Sequence, residues 1–141
     1  MFKNLLLAVD LNDAHGAQRC GRAAASMARN EQASLHVLNV VPDSGMSIVG
    51  ASLGAQHADR IMASAKADLE AWATENIPDG IDVHLHIGRG TVYDQIIKTA
   101  AVLEADAIFV GAHRPELKDY LIGPNSARVA RHSTQSVFVI R

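Results

Sequence analysis

Two groups of residues could do chemistry at close quarters. Asp10, Asn12 and Asp13 stand where the apolar run Leu5–Asp10 ends. Carboxylates there repel a phosphate but accept hydrogen bonds from an adenine amino group or a ribose hydroxyl. Their competing role is to end a strand and cap the helix after it. In the second group, Gly111, His113 and Arg114 follow another apolar run, and Gly123, Pro124, Asn125 and Ser126 open a short helical segment. Two glycines admit a close backbone approach, and a helix amino terminus presents N–H groups and a partial positive charge, which suits a phosphate. Arg114 can add a charge-assisted fork to the same anion. Pro124 has no N–H, so such a cradle rests on Asn125 and Ser126, whose side chains also donate. A plain surface loop followed by a proline-started helix competes with this reading.

Other chemistries are poorly served. No G-x-G-x-x-G and no P-loop follows the first apolar run, so neither a dinucleotide fold nor an ordinary NTPase is supported. The stretch HIGR (residues 86–89) has part of the H-I-G-H pattern of nucleotidyl transferases, but it ends the third run and lacks the second histidine. A phospho-acceptor receiver domain fails for want of an aspartate at the end of the third run and a lysine after the fifth. His84 and His86 share one face of a strand and could chelate, yet no cysteine or third histidine follows at ligand spacing. The expectation is therefore a solvated edge strand and no metal. Cys20, the single cysteine, reads as a small core residue.

The elements that must position these residues alternate in period. Apolar runs at Leu5–Asp10, Ser34–Val41, Ala107–Gly111 and Val137–Arg141 suit strands buried on both faces, while Ile81–Ile87 alternates apolar with polar and suits an edge. Helical stripes lie between them: Ala17, Cys20, Ala24, Met27 and Ala28; then Ile61, Ala65, Leu69, Trp72 and Ala73; then Val92, Ile96, Ala100 and Leu103. Thr91 and Asp94 have capping-box spacing, and Pro124–His132 forms the last, short helix. This β-α-β-α-β-α-β-α-β order predicts an α/β fold, a five-stranded parallel sheet with helices on both faces, as one domain over residues 1–141. Pro42–Gly54, rich in small residues, is expected to be irregular, a flap over the carboxyl edge of the sheet.

Bulk properties narrow the class. A net charge of −2 and 4% aromatics argue against nucleic acid and anionic membrane as partners. No run is long enough for a bilayer, and the opening apolar stretch is too short for a signal peptide, so the expected location is cytoplasmic.

The segment GAHRPELKDYLIGPNSARVARH (residues 111–132), closing with SVFVIR (136–141), resembles the carboxyl-terminal signature of the universal stress protein family. LLLAVD (5–10) and LNVV (38–41) match the same family, so the resemblance spans the chain. It implies an adenine nucleotide alpha hydrolase-like sheet of order 3-2-1-4-5 and an ATP site in the family's nucleotide-binding branch. Asp10 and Val40, with Ala8 and Val9 beside them, would hold adenine and ribose. Val110, Gly111, His113, Arg114, Gly123, Pro124, Asn125 and Ser126 would surround ribose and phosphates, with Mg²⁺ bridging the phosphates. The family's G-x2-G-x9-G-[ST] pattern is varied here. Arg114 replaces the second glycine, the spacing to Gly123 is one shorter, and Pro124 replaces the Ser/Thr. The resemblance also implies a homodimer through the last strand, Ser136–Arg141, acting in stress response and signalling. The alternatives are a slow ATPase or self-phosphorylating enzyme and a nucleotide-free dimerisation module. Because no water-activating base is evident, binding ranks ahead of turnover.

Overall fold

The computed structural model describes residues 1–42, 51–112 and 123–141. Five strands, β1 (Asn4–Ala8), β2 (Ser34–Val41), β3 (Val83–Arg89), β4 (Ala107–Gly111) and β5 (Ser136–Ile140), form one sheet of order β3-β2-β1-β4-β5. All four pairings are parallel, with Leu6 opposite both His36 and Ile108 in the central register. The helices are α1 (Ala14–Glu31), α2 (Ala51–Asn76), α3 (Val92–Val102) and α4 (Pro124–His132). Strand alternation sends Leu5, Leu7, Leu35, Val37 and Phe109 to the face covered by α1 and α2. Leu6, Leu38, Ile108 and Val110 meet α3 and α4 on the other. Near-continuous apolar runs were needed because β1 and β4 are covered on both sides: Leu5, Leu6, Leu7, Ala107 and Ile108 are fully buried.

The alternating strand β3 lies at one edge, as its pattern predicts, and β5 at the other. Along α1 the small residues Ala17, Cys20, Gly21, Ala24 and Ala28 are buried, so this helix packs close to the sheet. Two local expectations fail. Thr91 is the cap residue of α3 but makes no side-chain cap bond, and Asp94 pairs instead with Lys98 at 2.9 Å, one turn on. The stretch expected to be irregular through Gly54 is helical from Ala51, alanine and leucine outweighing the one glycine, while its residues 43–50 lie outside the described residues.

Candidate functional site

The chain leaves β1 toward β2 on one side of the sheet, and β4 joins β1 on the other, so strand order reverses between β1 and β4. Adjacent loops diverge at such a point and leave a crevice at the carboxyl ends of the strands. A cleft of about 700 Å³ opens here, within the range of small-molecule sites. Ten of the twelve residues named from the sequence line it: Ala8, Val9, Asp10, Val40, Val110, Gly111, Gly123, Pro124, Asn125 and Ser126. His113 and Arg114 lie outside the described residues.

Each wall follows from local chemistry. Past β1, the Val9 amide still bonds the Leu38 carbonyl at 3.0 Å, which carries the ladder one residue beyond the strand. The chain then turns: Asp10 Oδ1 accepts the Asn12 amide at 3.0 Å, and the Asp13 amide bonds the Asp10 carbonyl at 3.1 Å. Asp13 caps α1 by accepting the Gly16 amide at 3.2 Å. A Cβ on Gly16 would fall 2.2 Å from Asp13 Oδ2, so this glycine is what lets the cap close. Capping thus accounts for Asp13, whereas exposed Asp10 stands at the mouth of the cleft.

On the far wall, Pro124 occupies the first turn of α4 behind Gly123, and the first ladder bond runs from the Ala127 amide to the Gly123 carbonyl at 2.9 Å. The amides of Asn125 and Ser126 precede that ladder, as in any first turn. Buried Ser126 differs from expectation. Its hydroxyl donates to the Gly111 carbonyl at 2.6 Å, tying α4 to the end of β4. With its hydrogen committed there, the Ser126 side chain sets the position of the first turn and is not a free donor for an anion.

Sequence reasoning missed four contributors. Asn39 reads as one polar residue inside a strand, yet its Nδ2 donates to the Val9 carbonyl at 3.1 Å and clamps β1 to β2 beside the cleft. Its signal was polarity at a position next to a site residue. Ala65 and Asp68 of α2 also line the cleft, and only the fold brings them there. Cys20 forms part of the floor, with Sγ 3.4 Å from where a Cβ on Gly111 would lie. Burial, more than its charged neighbours, pushes its thiol up to about 11, so it sits there as a neutral, apolar group. Among the described residues, no group of three His, Cys, Asp or Glu is arranged to hold a metal ion, and no helix is long and apolar enough to cross a membrane.

Known proteins are similar to this chain along nearly its whole length. Universal stress protein G of Escherichia coli O157:H7 is 24% identical over 143 residues, covering all of both chains. Universal stress protein UspA from Lactobacillus plantarum superposes with a TM-score of 0.75 at 27% identity, over 99% of this chain and 97% of that one. A universal stress protein from Archaeoglobus fulgidus, solved in complex with dAMP, gives a TM-score of 0.62 at 20% identity, over 99% and 98% of the two chains. The universal stress protein family matches residues 1–141 from end to end. With residues 1–141 matched from end to end, the chain belongs to the universal stress protein family.

Proposed function

We propose that residues 1–141 act as one cytoplasmic domain that binds an adenine nucleotide, with ATP and its bridging Mg²⁺ as the first candidate ligand, and that it serves stress signalling as a homodimer. The observation that carries this reading is the cleft between Asp10 and the amino end of α4. A hydrogen-bond acceptor stands on one wall and a helix amino terminus on the other, over an apolar floor. Asp10 and Val40 would take the adenosine, and Gly111, Gly123 and the Asn125 and Ser126 amides the phosphates, with His113 and Arg114, two and three residues past Gly111 in the sequence, as further candidates. The dAMP complex of a family member supports the adenine part of this assignment. A binding role ranks above turnover because the Ser126 hydroxyl, one candidate phosphoryl acceptor, is buried and already bonded.

The test is to purify the protein under native conditions, denature it, and identify released nucleotide by mass spectrometry. An adenine nucleotide near one per chain, absent from an Asp10→Ala/Gly123→Val variant, is the expected result. No release, and no heat on calorimetric titration with ATP, ADP or AMP, would leave the dimerisation-module reading in its place. For the dimer, support comes from β5, whose apolar residues Val137, Phe138, Val139 and Ile140 stay half-buried at a sheet edge. Light scattering at micromolar concentration should give twice the chain mass; a monomer there would remove this part of the proposal.

A further inference from the structure

Three imidazoles meet on the sheet face that α3 and α4 cover. In the β2–β3 register His36 lies opposite His84, and Leu38 opposite His86, so His36 reaches both histidines of the neighbouring strand. His36 Nδ1 stands 2.9 Å from His86 Nε2. The His36 ring stacks on His84 at 4.9 Å between centroids and tilts against His86 at 5.1 Å. On the outer side, His84 Nε2 lies 3.0 Å from Asp82 Oδ1, and Asp82 Oδ2 accepts the Ser34 hydroxyl at 2.7 Å. The cluster occupies the amino-terminal part of β2 and β3, whereas the cleft lies past their carboxyl ends.

A contact of 2.9 Å between two ring nitrogens needs one hydrogen or one cation between them, since two bare lone pairs repel. Metal–imidazole bonds are about 2.0–2.1 Å, which puts two ligands at right angles on one ion about 2.8–3.0 Å apart. Tetrahedral ligands would stand about 3.3–3.4 Å apart at the same bond length. A hydrogen bond already spans the pair, and a cation that replaced its proton at this spacing would take the right-angled case, the tetragonal geometry of Cu²⁺ or Ni²⁺. Although three rings meet, no three side chains among the described residues are arranged as a ligand set, so the remaining positions fall to water.

We propose that His36 Nδ1 and His86 Nε2 form a cross-strand chelate for a divalent cation of the Cu²⁺ class, with His84 and Asp82 bordering it. The untagged, nucleotide-free chain is dialysed against Cu²⁺ buffered by glycine and examined by electron paramagnetic resonance. One ion per chain with nitrogen splitting from two imidazoles is expected. His36→Asn and His86→Asn should each weaken binding by roughly 10-fold or more, taking the lower end of the loss seen when metal-site partners are removed. His132→Asn, on the exposed end of α4, should leave it unchanged. If either asparagine variant fails to fold, copper broadening of the wild-type histidine ¹⁵N resonances serves in its place, with His36 and His86 lost first. Absence of stoichiometric binding, broadening that begins at another histidine, or affinity kept in His36→Asn but lost in His84→Asn would overturn the cross-strand chelate.

Discussion

Gly111→Val is expected to leave the chain folded and to weaken adenine nucleotide binding roughly 100-fold or more, about 2.7 kcal/mol. Gly111 is the last residue of β4, and its backbone is not among the positive-φ glycines, so nothing local demands glycine. Among the described residues a Cβ there would touch Cys20 Sγ alone, at an ordinary 3.4 Å. Valine also suits a strand end. The glycine is therefore explained by the space it leaves over the floor formed with Ala17 and Cys20. Two added methyl groups would occupy that space and hold a ribose or phosphate off the amino end of α4. Calorimetric titration with ATP, beside a thermal melt, reads both halves of the result. Wild-type affinity in a folded Gly111→Val chain would mean that no ligand rests on this part of the floor.

Phe109→Ala should act on stability, lowering the unfolding free energy by about 3–5 kcal/mol, the usual range for emptying a buried phenylalanine site. Phe109 is only 2% exposed at the centre of β4. Its ring stacks on Phe138 of β5 with centroids 4.7 Å apart, and Phe138 in turn meets Phe2 edge-on at 6.1 Å. These are the three phenylalanines of the chain, gathered in one cluster. Neighbouring small residues, Cys20 and Ala24 among them, are too short to refill the void. For a domain whose whole stability is of order 5–15 kcal/mol, urea unfolding should shift by roughly 2 M at an m-value near 2 kcal/mol/M. A shift under about 0.5 M would mean that the β4–β5 side carries little of the core, on the same scaling.

Much of the fold was legible because parallel strands covered on both faces need near-continuous apolar runs, as in β1 and β4 and, broken by His36 and Asn39, in β2. The alternation in β3 marked the edge for the same reason in reverse. The cleft was legible through a topological rule, since ligands gather past the carboxyl ends at a reversal of strand order, and ten named residues stand there. What escaped was register and competition. The proximity of His36 to His86 depends on which residue faces which across two parallel strands, and no spacing along the chain encodes it. Asn39 hid in an apolar run, and only its bond to the Val9 carbonyl reveals its work. The capping box failed because Lys98, one turn on, offers Asp94 an ion pair in place of the cap.

The two free edges of the sheet differ in a way that bears on assembly. Along β3, exposed His84 and Arg89 and the adjoining Asp82 break any apolar continuity, whereas β5 carries four consecutive apolar residues. A head-to-tail union of β5 with the β3 of another copy would leave fresh edges at both ends and grow into a fibre. A union of β5 with β5 uses the same patch twice, satisfies a two-fold axis and closes. For the homodimer proposed above, polar side chains on one margin and apolar ones on the other would favour a finite particle over an open polymer.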